Sequence, residues 1–311
     1  MRAPAHRDKS NQLLASLANF EVTHGKLPGI VPQAARDTFV AQIISSLRRI
    51  DFVRRLSGAG ISDRRLDPHD EFFDPIKGAA LLLRKGEIDE AIWLTFVGTQ
   101  FGKHVTDGWK LAANVMGSFS QGPVWTEAQY RNDRAGFDAM LENNAPALDD
   151  WKTAGRYSNH RQYESRKPKH LSKVFNSFSN WQNELGGFRE RLQFVHQERG
   201  QNPEEAFDGL YKSFSTVHGF GRLGTFDFLT MVGKLELAPI SPGSVYLRGA
   251  TGPFAGAKFL FFGDREYSIS ATKLEPQVDE LDNYLMVGKQ VIEDSLCNWQ
   301  KSPESFIYFK G

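Results

Sequence analysis

Apolar residues in this chain recur every three to four positions and almost never alternate, a rhythm that commits it to helices packed on helices. Residues ~33–57 show it most plainly: Phe39, Ile43, Leu47, Ile50 and Val53 share one face of a long amphipathic helix, ended by Ser57-Gly58-Ala59-Gly60. A first helix is predicted over ~8–24, closed by Leu27-Pro28-Gly29. Residues ~87–101 are apolar nearly all round, the mark of a central helix, and Gly102 suits its end. Further helices are predicted at ~107–117 (with Thr106 as cap), ~126–142, ~171–182, ~185–199, ~203–215, ~222–235 and ~275–297. Only Ala257–Phe262 reads as a strand. The expected class is all-α, as a single catalytic module over 1–311 with two helical lobes, 1–200 and 201–311, and a cleft between them.

Composition removes several alternatives. With 311 residues, a net charge of +1 and 40% hydrophobic residues, the chain has the make-up of a globular protein with ample core. No apolar run approaches the ~20 residues of a membrane span, so no membrane partner is expected. The polar stretch Met1–Ser10 does not resemble a signal peptide, which makes the cytoplasm the default location. The single cysteine, Cys297, excludes an internal disulfide and a thiolate metal cluster. The eight histidines lack ligand spacing, so no metal and no cofactor is expected, with a carboxylate-held magnesium as the open alternative.

The neutral total conceals polarity. Residues 1–65 hold eleven Lys/Arg against five acids, and residues 151–181 hold seven bases against Glu164 alone. In the second segment the bases Arg161, Arg166, Lys167, Lys169 and Lys173 alternate with Tyr157, Tyr163, Phe175, Phe178 and Trp181. Bases interleaved with flat rings suit phosphate contacts and base stacking; a surface loop with core anchors is the plainer reading.

Four groupings could carry chemistry. Gln42, Ser46 and Arg49 form a polar stripe bordering the apolar face of the 33–57 helix, either a pocket wall or an interhelical polar network. Val217-His218-Gly219-Phe220-Gly221-Arg222 joins two predicted helices in the form of a helix–hairpin–helix, whose glycines and helix N-terminus suit a DNA phosphate. Asp227 lies shortly into the second helix among Phe226, Phe228 and Leu229, where an acid is costly unless paired or used. Asn159-His160-Arg161-Gln162-Tyr163 is a dense polar cluster, with Lys103-His104 a smaller one. Nucleophile-elbow, P-loop and dinucleotide signatures are missing.

Taken together, Gln42-x5-Arg48-Arg49, Phe101-Gly102-Lys103-His104-x4-Trp109, Asn159-His160-Arg161-x-Tyr163 and Gly219-Phe220-Gly221-Arg222-x4-Asp227 resemble the α-glutamyl/putrescinyl thymine pyrophosphorylase family, third clade. Residues 233–240 and 249–253 resemble it too, so the likeness spans roughly 10–262. The resemblance implies an all-helical, helix–hairpin–helix DNA glycosylase-like fold acting on double-stranded phage DNA with hypermodified bases, similar to anti-phage glycosylases that remove glucosylated hydroxymethylcytosine. Leu223 stands where bifunctional relatives carry lysine, which implies a monofunctional enzyme. Ser241 stands about where their catalytic aspartate lies, which leaves Asp227 as first candidate. The expected site is therefore Asp227, His160 and Asn159 for catalysis. Gln42, Ser46, Arg49, Lys103, His104 and Tyr163 would form a base pocket. Gly219, Phe220, Gly221, Arg222, Arg161, Arg166, Lys167, Lys169 and Lys173 would hold DNA. The alternatives are a pyrophosphorylase that builds a hypermodified base and a non-catalytic DNA-binding module.

Overall fold

A computed structural model describes residues 4–308, with side chains from residue 7 onward. Among them are sixteen α-helices and no strand; the one bridge, between His104 and Gly108, is isolated. In chain order they begin α1 (Pro4–His24), α2 (Gln33–Arg54), α3 (Pro75–Lys85), α4 (Ile88–Phe101), α5 (Lys110–Met116), α6 (Glu127–Asn132), α7 (Arg134–Asn143) and α8 (Ala145–Asp149). They continue α9 (Trp151–Ala154), α10 (Pro168–Asn183), α11 (Phe188–Arg199), α12 (Pro203–Ser213), α13 (Arg222–Lys234), α14 (Gly252–Phe262), α15 (Ala271–Leu285) and α16 (Lys289–Trp299). The all-α class is as the periodicity predicts.

Contacts divide the chain into two units: one runs to Phe52 and resumes at Pro242, the other runs from Val53 to Ser241. The lobe boundary expected at 200 thus falls inside the larger unit, which keeps the basic 151–181 segment and the glycine hairpin in one body.

In the smaller unit α1, most of α2, α14, α15 and α16 share a core that includes Leu17, Phe20, Phe39, Ile43, Leu260, Leu281 and Trp299. The buried Trp299 indole donates to Ala35 O at 3.1 Å. The expected strand 257–262 is instead part of α14. Pro253 starts that helix and Gly263, in the left-handed region, closes it. Its run of apolar residues reflects burial rather than pairing. The single helix expected over ~275–297 is two, α15 and α16, separated by a left-handed Met286 and by Gly288. Likewise ~126–142 divides at Asp133, whose carboxylate accepts from Gly136 N at 2.8 Å and caps α7.

In the larger unit α4 is the axle. Ile92, Trp93, Phe96, Val97 and Phe101 are wholly buried, and α3, α5, α6, α11 and α13 pack around it. Its aromatic rings continue into α10: Phe96 stacks on Phe178 at 3.8 Å, and Trp93 meets Phe175 edge-on at 5.5 Å. The start of α4 presents Glu90, whose two carboxylate oxygens each accept the Glu127 amide at 2.9 Å.

Burial, reinforced by the Glu127 carboxylate, pushes the Glu90 carboxyl up from about 4.5 to about 7. The unfolded chain therefore ionises first as pH rises. Stability is full below about 4.5 and falls through about 7, by on the order of 3 kcal/mol for a single group. Glu90→Gln keeps an acceptor for the Glu127 amide and removes the charge. Thermal unfolding at pH 8 is expected to show a higher Tm for the variant than for the parent, with the gap closing near pH 5; a constant gap would remove Glu90 as the source.

Candidate functional site

The hairpin is assembled from local rules. Asn202 caps α12, accepting from Glu204 N at 2.8 Å, and Pro203 occupies the first turn. A 3-10 turn, Phe214–Thr216, then leads into Val217-His218-Gly219. Gly219 has φ +75°, which an L side chain rarely adopts. Gly221 has φ −73° and no such need. Nothing lies within 4 Å of where its Cβ would stand, so it keeps the surface open for an approaching group. The α13 helix starts there, and its first-turn amides at Leu223 and Gly224 have no intrahelical acceptor. Phe220 is buried among Phe96 and Phe214, so it anchors the turn and is not a DNA contact.

Arg161, expected to touch DNA, is also buried, and its role is internal. Its Nη2 donates to Gln100 Oε1 at 2.8 Å and to Gly219 O at 3.2 Å, its Nε to Gln100 O at 3.3 Å, and Glu164 lies 3.4 Å away. The guanidinium sits 4.6 Å above the Phe220 ring. Burial pulls its pKa below the ordinary arginine range, and Glu164 opposes that pull. One side chain thus joins the end of α4, the 159–161 turn and the hairpin. Gly224 makes room for it: a Cβ there would stand 2.6 Å from Arg161 Nη1 and 3.0 Å from Phe220 Cδ1.

This brace sets His160 against Asp227. The turn Asn159–Arg161 hangs on the end of α4 through Ser158 N donating to Phe101 O at 2.9 Å. Gly102, at φ +63°, permits that approach, since its Cβ would meet Ser158 Oγ at 2.0 Å. His160 Nδ1 lies 3.4 Å from Asp227 Oδ2, with the two side chains 32% and 33% exposed. Asp227 is therefore neither buried bare among its aromatic neighbours nor isolated on the surface. It is a half-open carboxylate facing an imidazole, six residues after Gly221 on the same helix.

The remaining expected residues separate. Asn159 is exposed and accepts from Gln162 Nε2 at 3.0 Å. Tyr163 is 93% exposed and projects outward instead of lining a pocket. His104 turns its Nδ1 onto the amides of Thr106 and Asp107, at 3.2 and 3.1 Å, so it caps the turn assigned to Thr106 in the sequence reading. Lys103 Nζ lies 3.9 Å from Asp74 Oδ2. Arg166 donates to Gly155 O at 3.2 Å, which makes it part of the loop's own bonding. Arg222 covers the Phe226 ring at 4.7 Å. Lys167, Lys169 and Lys173 are exposed at the start of α10.

Gln42, Ser46 and Arg49 belong to the smaller unit and are engaged there. Gln42 Nε2 donates to Ile307 O at 3.0 Å while its Oε1 is buried without a partner. Ser46 is buried, and Arg49 pairs with Asp294 and donates to Ser45 Oγ at 2.9 Å. For Arg49 the interhelical polar network is the arrangement found. Among the described residues no three His, Cys, Asp or Glu side chains stand close enough to hold a metal ion. Sequence reasoning missed the roles of Gln100 and Gly224, which come from a partner 61 residues away and from a clash that only coordinates reveal, and that of Glu164, which pairs with Arg161 only three residues before it.

The two helix-start glycines yield opposite expectations. Gly224→Ala forces a methyl into Arg161 and Phe220 and is expected to destabilise by about 1–3 kcal/mol, although alanine for glycine in an open helix site stabilises by up to about 1 kcal/mol. Gly221→Ala meets open space and is expected to leave the urea midpoint nearly unchanged. A stabilised Gly224→Ala would show that the brace yields.

The family model described as alpha-glutamyl/putrescinyl thymine pyrophosphorylase clade 3 matches residues 34–311. The match begins later than the motifs suggested and takes in the C-terminal residues they left unassigned. No curated protein and no solved structure matches. No helix among the described residues is long and apolar enough to cross a membrane. From its motifs and from a match that takes in both helical units, the chain belongs to the α-glutamyl/putrescinyl thymine pyrophosphorylase family, clade 3.

Proposed function

We propose that this protein is a monofunctional DNA glycosylase that hydrolyses the N-glycosidic bond of a modified pyrimidine in double-stranded phage DNA and leaves an abasic site. The observation that carries the reading is the His160–Asp227 pair, half-open and one and a half turns from an exposed glycine at a helix start. Membership of a family named for thymine modification supports a modified base as substrate, and glucosylated hydroxymethylcytosine or a similar hypermodified base is the reading's first choice.

In this scheme the first-turn amides of α13 and Arg222 receive a phosphate, with Lys167, Lys169 and Lys173 adding charge along the backbone. The modified nucleotide leaves the stack, which costs less for a base already disturbed. As the bond from C1′ to the base breaks, its electron pair leaves with the base and C1′ becomes positive. Asp227 faces that charge. Water adds to C1′ and gives a proton to the pair, while the base takes up a proton as it departs. His160 keeps the Asp227 carboxylate turned toward the sugar. Anti-phage defence is the biological setting that such an activity fits.

The family description itself favours a second reading, a pyrophosphorylase. There an amine nitrogen attacks the methylene carbon of a pyrophosphorylated hydroxymethylpyrimidine, pyrophosphate leaves, and His160 takes the amine proton. Mass spectrometry of DNA carrying different modified cytosines and thymines, pyrophosphorylated hydroxymethylpyrimidines among them and with an amine supplied, separates the readings: free base plus abasic sites for the first, free pyrophosphate plus an amine-substituted nucleotide for the second. DNA retained with no covalent change counts against both and favours a binding module. Asp227→Asn is expected to lower base release at least about a hundredfold with DNA retention intact; unchanged release would take Asp227 out of the chemistry. Replacing Lys167, Lys169 and Lys173 by alanine is expected to flatten the dependence of log K on log salt by about one for each lysine that contacts a phosphate.

A further inference from the structure

Two histidines meet where the hairpin lies against α10, and neither has a part in the site built so far. The His218 amide donates to Ser177 Oγ at 2.8 Å, which ties the start of the hairpin to α10. Its ring stands 5.2 Å from the ring of His170, in the first turn of that helix. His170 Nε2 lies 3.2 Å from Glu164 Oε2, and Glu164 also faces Arg161. A Cβ on Gly219 would stand 3.4 Å from that carboxylate oxygen and 3.7 Å from His170 Nε2, so the arrangement lies directly against the glycine turn. His218 is exposed, and the His170 side chain is 25% exposed. Among the described residues neither ring nitrogen of His218 bonds to the chain; nor does His170 Nδ1, which is not buried. The charges around the two rings are Glu164 with Arg161 behind it, Lys167, Lys169 and Lys173 at the start of α10, and Arg222 at the start of α13. The 3-10 turn Phe214–Thr216 packs against α10 without a charge. Arg134 of α7 bonds to Asn176 and Asn180 further along α10, and Arg191 of α11 bonds to Trp181 O toward its far end. Among these groups Glu164 alone is acidic, and it is already paired.

The Glu164 contact dictates what His170 can offer a ligand. An ionised carboxylate only accepts, so His170 Nε2 carries the proton between them. In the neutral ring Nδ1 is then a bare acceptor. A phosphodiester is an acceptor too, and finds no donor there until Nδ1 gains a proton of its own. Imidazole is the side chain suited to that change near neutral pH. His218, with both ring nitrogens open, has a donor in either form. We infer that His170 and His218 together hold one backbone phosphate of DNA, and that a proton from water joins His170 Nδ1 as the phosphate seats. Nδ1–H and a His218 N–H then donate to the two free phosphate oxygens, while Nε2–H keeps its bond to Glu164. Charge-assisted bonds of this kind are the strong ones. The inference rests on the reading of this protein as DNA-binding, and is independent of the chemistry proposed for Asp227.

The test uses the full chain and a short unmodified DNA duplex. Affinity is followed by fluorescence anisotropy from about pH 6 to about pH 8.5, and proton uptake by calorimetry in two buffers of different ionisation heat. The parent is expected to take up protons on binding and to lose up to about tenfold in affinity for each pH unit as pH rises. His170→Gln keeps a donor for Glu164 but cannot be charged. It is expected to remove the uptake, flatten the pH dependence and leave the affinity at the alkaline end nearly unchanged. His170→Lys carries its charge throughout and is expected to hold the acid-side affinity across the range. His218→Ala, at an exposed position, is expected to weaken binding about tenfold at the acid end, the value of one hydrogen bond to a charged group. Binding without proton uptake, uptake that persists in His170→Gln, or unchanged binding by His218→Ala would each overturn the phosphate clamp and leave the DNA reading standing. No binding at any pH would overturn both.

Discussion

A single buried guanidinium organises the larger unit. Arg161 links the last turn of α4, through Gln100, to the hairpin carbonyl of Gly219, and its flat face rests on Phe220. A buried charge of this kind is tolerable only when hydrogen-bonded on several sides and paired, here with Glu164. Breaking one partner leaves the others unsatisfied, so the arrangement holds as a whole or not at all. Everything proposed about catalysis follows from that, because His160 is its immediate neighbour and Asp227 lies across from it.

Much of this was legible in the sequence. The helical period, the central α4, the Gly219–Arg222 turn and the Asn159-His160-Arg161 cluster are local patterns, and local patterns survive translation into coordinates. Asp227 could be singled out because a carboxylate among phenylalanines is energetically conspicuous. The direction of each side chain was not legible. Periodicity marks residue 161 as basic and leaves open whether the charge faces a phosphate or a carbonyl. Residue 163 is aromatic whether it lines a pocket or projects into solvent, and here it projects.

The polar stripe of α2 teaches the same lesson differently. Gln42, Ser46 and Arg49 stand out as costly residues on an apolar border, and costly residues invite a functional reading. Gln42 and Arg49 find partners about 250 residues downstream, in the backbone at Ile307 and in α16. No spacing within a helix reveals such a partner. A chain whose first and last segments fold together hides half of its polar bookkeeping from any local window. For the same reason α14 resembled a strand: its apolar run answers to neighbours on several sides, such as Leu296 against Gly256.

The α13 helix also acts as a ruler. Its first residues present the open glycine turn, and its sixth carries the carboxylate, so about 9 Å of rigid axis separates whatever the turn grips from whatever Asp227 faces. One inserted residue between them would rotate the acid by about 100° and lengthen the gap by about 1.5 Å, turning it from His160 without touching either end. In the proposed scheme the number of residues along that stretch is fixed by the distance between grip and charge, just as Gly224 within it is fixed by the room that Arg161 occupies.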